Sequence, residues 1–332
     1  MPANLPPPQY LKAEDEFRKA TTPPARLEKL KELYLLLPKH KGTEKLQRDL
    51  KTKMSRLRDE IETSPATGKK AGGVSYRVPS DGAGQIALVG PPNSGKSTLI
   101  SALTNAKPEI APYPFTTRAP YPGMMKFEDV RVQLVDLPPV SPEFFEPWTG
   151  NIIRSADAAL LVIDLGDDDV ADATDATLKR LAEVHAELVG EPPFDQEDLT
   201  IQHVKTLCIA NKIDAPGAED RLAIVREWFA PRFPIIEVSA RDGLGLDVLR
   251  RAAYDLLGVM RIYTKIPGKP IDRAHPFTVA LGSTVLDVAR EVHRDLEQSL
   301  KFAKVWGTGV FEGQTVKRDH ELHEGDVVEL HV

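Results

Sequence analysis

Residues 90–98 read GPPNSGKST and combine closely spaced glycines with a lysine that is followed by hydroxyl side chains. The stretch follows the apolar run QIALV and precedes LISAL, so it fits the pattern G-x-x-x-x-G-K-[ST] of a phosphate-binding loop between a strand and a helix. Backbone N–H groups of such a loop surround the phosphates, Lys96 can reach the β- and γ-phosphates, and the Ser97 hydroxyl can bind Mg²⁺. We therefore predict a nucleoside triphosphate site that contains Gly90, Pro91, Pro92, Asn93, Ser94, Gly95, Lys96, Ser97 and Thr98.

The motif NKID, which begins at Asn211, indicates which base this site binds. The Asp214 carboxylate can accept hydrogen bonds from guanine N1–H and the exocyclic amine, Asn211 can bond the other edge of the base, and the Lys212 stem can cover its face. Such a site leaves polar atoms unpaired when adenine enters, which produces large discrimination. Taken alone, NKID can equally be a helix cap. With EVSA after it, where a backbone N–H of Ser239 or Ala240 can meet guanine O6, it predicts guanine.

Two further elements are expected to respond to the γ-phosphate and to Mg²⁺. The loop APYPFTTRAP at residues 111–120 offers a threonine hydroxyl to the Mg²⁺ shell, with Thr117 as the first candidate and Thr116 as the second. An ordinary polar loop is the alternative interpretation. Asp136 ends the run VQLVD, and an aspartate at the carboxyl end of a strand in this kind of sheet points into the ligand crevice, where it can hold a Mg²⁺-bound water.

The segment after Asp136 places Pro139 where a nucleotide-dependent switch has a glycine. In a usual switch the N–H of that glycine donates a hydrogen bond to the γ-phosphate. Proline has no N–H, so we expect nucleotide and Mg²⁺ binding to survive while the preference of this loop for the triphosphate weakens. The next residue, Val140, cannot orient a water molecule as a glutamine does, so we expect slow intrinsic hydrolysis.

Short apolar runs alternate with helical stretches between the motifs and must bring them together. The runs QIALV, VQLVD, AALLVID, KTLCIAN and PIIEVSA are rich in Val, Ile and Leu, which is typical of a parallel sheet covered on both faces. They predict an α/β P-loop fold with a doubly wound, mostly parallel sheet over residues 76–258. Residues 259–332 show alternating strand and helix patterns that predict a small α+β module, and residues 1–75 predict a helical hairpin with a flexible linker.

Composition sets limits on the class of protein. The chain of 332 residues contains a single cysteine, Cys208, which excludes a disulfide framework and a cysteine-based metal cluster. No apolar run approaches the roughly 20 residues of a membrane span, and the start lacks signal-peptide features, so we expect a cytoplasmic protein. The net charge of −6 divides into +7 for residues 1–80, −12 for 81–258 and −1 for 259–332. The basic arm favours a polyanionic partner, with a solvated helical face as the alternative.

The order of these motifs resembles the developmentally regulated GTP-binding protein (DRG) family, relatives of the Obg GTPases. The likeness rests on PYPFTTR, on GMMKF and on the carboxyl-terminal stretch from RIYTK to KFAKVWG, and it extends over nearly the whole chain. It implies a Mg²⁺-dependent GTPase with a carboxyl-terminal TGS domain of the ubiquitin-like β-grasp fold. It further implies work on ribosomes or RNA, and an activating or stabilising partner protein. Catalysis is then assigned to Lys96, Thr117 and Asn93, the last by holding a K⁺ ion that bridges the phosphates. A loop asparagine in a local turn is the alternative for Asn93.

Two departures from the DRG pattern limit what the resemblance implies. One is Pro139, and the other is the short stretch between VID and KTLCIAN, which leaves no room for the extra domain that DRG proteins carry inside the GTPase module. We predict a GTP hydrolase that binds GTP or GDP, Mg²⁺ and K⁺ and acts on ribosomes or RNA, with no membrane or DNA partner. The alternative is a guanine-nucleotide-binding scaffold that hydrolyses little. For the aromatic residues Phe144, Phe145 and Trp148 we favour core packing over an exposed docking patch.

Overall fold

The computed structural model describes residue 76 and residues 78–104, 119–193 and 200–332. The predicted helical hairpin and linker of residues 1–75 therefore lie outside the described residues. The Mg²⁺ candidates Thr116 and Thr117 also lie outside them.

The first part of the described chain is built on a seven-stranded sheet. In it β1 lies between β3 and β4, β2 is the neighbour of β3, and β6 follows β4 and pairs with both β5 and β7. Only β2 is antiparallel to its neighbour, so the predicted mostly parallel α/β P-loop fold is confirmed. The five predicted apolar runs all form strands, whereas β2 and β5 were not predicted. The strands are β1 Gln85–Val89, β2 Tyr121–Phe127, β3 Val130–Asp136, β4 Ala158–Asp164, β5 Ala186–Val189, β6 Gln202–Asn211 and β7 Ile235–Val238.

In the part of this domain that the structure describes, five helices accompany the sheet, and its two faces are covered by separate cores. Alternate residues of β1 show this arrangement, because Ile86 and Leu88 pack into one core while Ala87 and Val89 pack into the other. Among the described residues, no helix is both long enough and apolar enough to cross a membrane. The helices are α1 Lys96–Leu103, α2 Pro147–Ser155, α3 Val170–Ala182, α4 Ala218–Phe229 and α5 Leu246–Leu256.

The carboxyl-terminal part forms a separate five-stranded sheet in the order β11-β10-β12-β8-β9. Its strands β8 and β12 are parallel, and the other pairs are antiparallel. A capping box between Thr284 and Asp287 begins the first of its two helices. The predicted α+β character is confirmed, although the short strand β11 was not predicted. The elements are β8 Val259–Lys265, β9 Ile271–Ala280, α6 Val285–Val292, α7 Arg294–Ser299, β10 Phe302–Trp306, β11 Gln314–Val316 and β12 Val327–His331.

Arg261 of β8 joins the two sheets by an ionic cluster. Its guanidinium binds Glu128 and Asp129 in the turn between β2 and β3, and it also binds Glu324 near the start of β12. The Tyr263 hydroxyl donates a further hydrogen bond of 2.5 Å to Asp129 Oδ2. Burial opposes the charge of Arg261, but its bonds to Asp129, Glu324 and Glu128 outweigh that effect and raise its pKa. This cluster holds the junction of the two sheets within the compact unit Gly73–Val332.

The aromatic residues after Pro139 mostly serve the core. Trp148 is 5% exposed and packs edge-on against Tyr76, with 4.7 Å between the ring centroids. Phe145 lies against the same core, beneath the Arg180 guanidinium, and Phe144 is half-buried. These contacts support core packing rather than an exposed docking patch.

Candidate guanine-nucleotide site

The predicted motifs follow the carboxyl ends of parallel strands and therefore meet at one edge of the sheet. Leu88 of β1 pairs with Asp136 at the end of β3, and Asp164 at the end of β4 pairs with Asn211 at the end of β6. The phosphate-binding loop begins directly after β1, which lies between β3 and β4 where the order of the strands reverses. Open α/β sheets bind their ligands in the crevice at such a switch point.

The Lys96 ammonium is buried inside the phosphate-binding loop. It donates hydrogen bonds of 3.0 Å to the Gly90 carbonyl and 2.8 Å to the Pro91 carbonyl, and it lies 3.4 Å from Ser94 Oγ. Burial lowers the pKa of Lys96 to about 8, although the charge of Asp136 opposes that shift. The loop therefore holds a cation that an incoming phosphate can attract away from carbonyl oxygens.

Ser97 and Asp136 provide the oxygens expected of a Mg²⁺ site. The Ser97 hydroxyl donates a hydrogen bond of 2.6 Å to Asp136 Oδ2, and Asp136 is fully buried. Mg²⁺ prefers a few hard oxygen ligands that are completed by phosphates and water. Two protein oxygens would leave the rest of such a ligand shell to phosphates and water, so this pair would suit a Mg²⁺ ion shared with a bound nucleotide.

Asp214 carries a buried acceptor that the described residues leave unused. Its Oδ2 forms an ion pair of 2.6 Å with Arg241, whereas its Oδ1 is buried and has no hydrogen-bond partner among the described residues. The Ser239 hydroxyl beside the carboxylate, assisted by the charges of Arg241 and Lys212, lowers the pKa of Asp214, so the carboxylate is charged at neutral pH. An unsatisfied buried oxygen is costly, and the guanine N1–H or exocyclic amine would satisfy it.

Asn211 connects the loops that surround the candidate base site. Its Nδ2 donates to the Ser94 carbonyl at 2.8 Å, and its Oδ1 accepts from the Ala240 N–H at 3.0 Å. Gly95 makes this contact possible, because it has a left-handed φ of 89° and a Cβ there would collide with Asn211 Nδ2. The Ser239 N–H donates to the Leu244 carbonyl, so both backbone groups proposed for guanine O6 have other partners in this structure.

Comparison with known protein families and relatives fits this geometry. Residues 85–194 match the family model described as 50S ribosome-binding GTPase, and residues 260–332 match the TGS domain. GTP-binding protein 1 of Schizosaccharomyces pombe is 29% identical over alignments covering 92% of this chain and 98% of the relative. Developmentally-regulated G-protein 2 of Arabidopsis thaliana is 28% identical to this chain, and the alignment covers 88% of this chain and 87% of the relative.

The chain is a homologue of the developmentally regulated GTP-binding proteins. It is thus a GTP-binding protein with a GTPase domain and a carboxyl-terminal TGS domain. The crystal structure of a GTP-binding protein from Pyrococcus horikoshii aligns with 74% of this chain over 99% of its own length, at 19% identity and a TM-score of 0.49. The alignment to the Arabidopsis DRG protein has 355 positions but covers only 88% of this 332-residue chain, so the DRG relative carries segments that this chain lacks.

The chain differs from the DRG pattern at Pro139, and the structure shows what the surrounding segment does instead. Residues 137–141 are buried, and the Val140 N–H donates a hydrogen bond of 3.1 Å to the Gly90 carbonyl. The Val140 carbonyl accepts a hydrogen bond of 2.9 Å from Thr177 Oγ1 on α3. These two hydrogen bonds fasten the segment to the phosphate-binding loop on one side and to α3 on the other.

Two further residues of the site were not predicted from the sequence. Asp164 binds Lys212 Nζ at 2.6 Å and accepts the Gly166 N–H at 2.8 Å, so it positions the lysine stem that would cover the base. Arg241 pairs with Asp214 Oδ2 at the other side of the base site. Asp164 could have been identified from its place at the end of a buried strand, which it shares with Asp136. For Arg241 the only indication in the sequence is that it directly follows Ser239 and Ala240.

Asn93 lies at the open side of the phosphate-binding loop. Its side chain is exposed, and its backbone has a left-handed φ of 59°, a conformation that asparagine tolerates better than most residues. The local-turn role and the K⁺ role are both compatible with this placement.

Proposed function

We propose that this chain is a Mg²⁺-dependent GTP hydrolase that acts on ribosomes or RNA. The unpartnered Asp214 Oδ1 carries the proposal, since it lies in a loop that Asn211 fastens to the phosphate-binding loop. A base bonded to Asp214 would therefore have its phosphates directed toward Lys96. Next to Lys96, the oxygens of Ser97 and Asp136 would supply a Mg²⁺ position beside those phosphates.

Each residue of the candidate site has its own task in the proposed reaction. Lys96 would exchange its bonds to the Gly90 and Pro91 carbonyls for bonds to phosphate oxygens. Ser97 would bind Mg²⁺, and Asp136 would hold it through a water molecule. Bound Mg²⁺ would neutralise charge on the β- and γ-phosphates. Val140 is apolar and supplies no group to orient water, so turnover without help should be slow. K⁺ at Asn93, or an activating protein, would supply the missing stabilisation, and Thr117 would complete the Mg²⁺ shell.

A ribosomal or RNA partner is supported by three features of different kinds. The matched family model is described as a ribosome-binding GTPase, the chain carries a TGS domain, and residues 1–80 have a charge of +7. A basic segment gains affinity for nucleic acid by releasing the cations that surround phosphates. The proposal places the protein in the cytoplasm, where ribosomes and GTP are both present.

Phosphate release from GTP in potassium and in sodium buffers, with and without ribosomes, tests the enzyme. We expect slow turnover alone, faster turnover in potassium or with ribosomes, and none with ATP. Cosedimentation with ribosomes in the presence of a GTP analogue or GDP tests the partner. Absence of GTP turnover in all conditions would contradict hydrolysis, and absence of cosedimentation would contradict the ribosomal role.

A second candidate function is a guanine-nucleotide-binding scaffold with little hydrolysis or switching. The hydrogen bond from the Val140 N–H to the Gly90 carbonyl favours it, because protein groups fasten this segment to the phosphate-binding loop and Pro139 has no N–H to offer a γ-phosphate. In that case GTP and GDP would bind with similar affinity and ribosome or RNA binding would not depend on the nucleotide. Measured affinities that differ by more than tenfold would exclude this candidate.

A further inference from the structure

A groove of about 700 Å³ opens where the GTPase sheet meets the TGS sheet. We call it the junction groove. Lys126 and Arg131 line it from β2 and β3, and Arg273 and His275 line it from β9. None of the residues that line it belongs to the nucleotide site described above, so nucleotide binding does not account for the groove.

The junction groove contains basic side chains without acidic partners. Its two carboxylates, Glu128 and Asp129, are both bound by Arg261, and His275 lies 3.4 Å from Asp272. Within the described part of the chain, Lys126, Arg131 and Arg273 form no ion pair. Two of these cations, Lys126 and Arg131, belong to the segment 81–258, which carries a net charge of −12, so this side of the groove differs in charge from the rest of its domain.

Aromatic side chains continue from the junction groove along the TGS sheet. The Arg273 guanidinium lies 5.8 Å from the ring of Tyr263, and Lys265, two residues further along β8, lies 4.5 Å from the ring of Trp306. At the far end Phe302 stacks on His331 with 4.6 Å between ring centroids. The strands thus present basic groups and rings in alternation.

We call Tyr263, Trp306, Phe302 and His331 the aromatic row. The aromatic row lies on the face of the TGS sheet that does not enclose the TGS core. Val327 pairs with Tyr263 on one side and Trp306 on the other, so these residues share a face. Their neighbours Ile262, Val305 and Val328 point to the opposite face and are fully buried in the core. Tyr263, Trp306, Phe302 and His331 are half-buried, so part of each of these residues remains accessible to solvent. The carboxylate of Glu329 on this face is held by Lys265 and His331.

We propose that the junction groove and the adjoining aromatic row bind single-stranded RNA, which gives the RNA partner of the proposed function a defined surface. Lys126, Arg131 and Arg273 would contact phosphates, and bases would stack on the rings beyond the groove. Unpaired cations next to aromatic side chains are the combination that binds single strands, because phosphates need charge and unstacked bases need flat apolar surfaces. An acidic protein segment would use the cations but would leave the rings unexplained.

The test is fluorescence anisotropy of a labelled 12-nucleotide oligouridylate titrated with the full chain. Replacing two groove cations together, Lys126→Glu with Arg273→Glu, should weaken binding at least tenfold. The slope of log Kd against log salt should fall by about 1.4, since each phosphate contact to a single strand contributes about 0.7. Lys179→Glu with Arg226→Glu is the matched control, because it makes the same charge change at two exposed, singly paired positions elsewhere. The milder pair Lys126→Gln with Arg273→Gln should weaken binding in the same direction.

A second measurement reports on the aromatic row. In a chain with Trp148→Phe and Trp228→Phe, Trp306 is the remaining tryptophan, and its fluorescence should be quenched by the oligouridylate. Equal weakening in the groove and control variants would overturn the proposal, as would tighter binding of duplex RNA or full competition by polyglutamate. Labelled GDP is titrated in parallel. Normal GDP binding without RNA binding at the groove defeats this inference and leaves the nucleotide site intact.

Discussion

At the scale of single residues, one carboxylate oxygen is expected to decide which base is bound. Asp214→Asn replaces an acceptor pair with one donor and one acceptor, which clashes with guanine N1–H and the amine but complements xanthine. We expect the affinity for guanine nucleotides to fall by a factor of about ten to a hundred, since a hydrogen bond to a charged group contributes about 1.5–3 kcal/mol.

Titrations with labelled GDP and xanthosine diphosphate measure this change in base preference. Asp242→Asn is the control, because Asp242 is a nearby exposed aspartate that also pairs with Arg241, at 3.2 Å. If Asp214→Asn binds GDP as well as the unaltered chain does, Asp214 does not read the base.

The depressed pKa of Lys96 predicts a proton linkage on nucleotide binding. With a pKa of about 8 in the empty site, Lys96 is mostly uncharged at pH 8.5, and a phosphate favours the charged form. Binding of GDP should therefore take up about 0.8 proton at pH 8.5 and about 0.1 at pH 7, so affinity falls as pH rises above about 8.

Calorimetry in two buffers of different ionisation enthalpy measures the uptake of protons directly. The pH 7 experiment is the internal control for buffer effects. Identical heats in the two buffers at pH 8.5 would show that Lys96 is already charged in the empty site.

At this scale the sequence indicates which residues could carry the chemistry, but not which residues position them. Lys96, Asp136, Asn211 and Asp214 were identifiable as candidates because phosphate and guanine recognition require those residue types in a fixed order. Asp164 and Arg241 act by orienting another side chain, and many residue types can do that. Their roles depend on distances across the sheet that no local spacing records.

At the scale of elements, the segment 137–141 is a fixed connection between the phosphate-binding loop and α3. Pro139→Gly restores an N–H where a γ-phosphate sensor has one. It should increase the preference for GTP over GDP about tenfold, the lower end of what a charged hydrogen bond contributes.

The ratio of the two dissociation constants, measured with labelled nucleotides, decides this point. Pro138→Gly adds the same backbone freedom one position earlier and should leave the ratio unchanged. Equal ratios in both variants and the unaltered chain would mean that the segment does not contact the γ-phosphate.

Elements with strong apolar runs were predictable, and short or exposed ones were not. β4 is buried along its whole length and reads as an apolar run. In contrast, β2 begins with exposed residues and contains a proline and a glycine, β5 has four residues, and β11 has three. Pairing with a neighbouring strand, rather than their own composition, makes these segments extended. The helical hairpin lies outside the described residues and stays a prediction.

At the scale of the whole molecule, Arg261 holds the GTPase and TGS domains together. Arg261→Gln would leave Glu128, Asp129 and Glu324 close together without their cation. We expect unfolding free energy at pH 7 to fall by about 2 kcal/mol, less than for a fully buried pair because the carboxylates are partly exposed.

Urea unfolding at several pH values tests this prediction. Burial alone would raise the pKa of Asp129, but hydrogen bonds from Tyr263 and Arg261 hold it below its usual value, so this stabilisation exists above about pH 4 and is lost as pH falls. The difference between variant and unaltered chain should therefore shrink below pH 4. Arg251→Gln, which removes an exposed pair with Asp255, is the control. A difference that persists in acid would contradict an ionic origin.

The contact between Gly95 and Asn211 also constrains how this protein can evolve. Any side chain at position 95 would displace the Asn211 amide from the Ser94 carbonyl, and so would loosen the loop that holds the base. Two motifs far apart in the sequence thus share one steric requirement. Lineages that keep guanine recognition are expected to conserve both residues together, and lineages that lose one should be free to drift at the other.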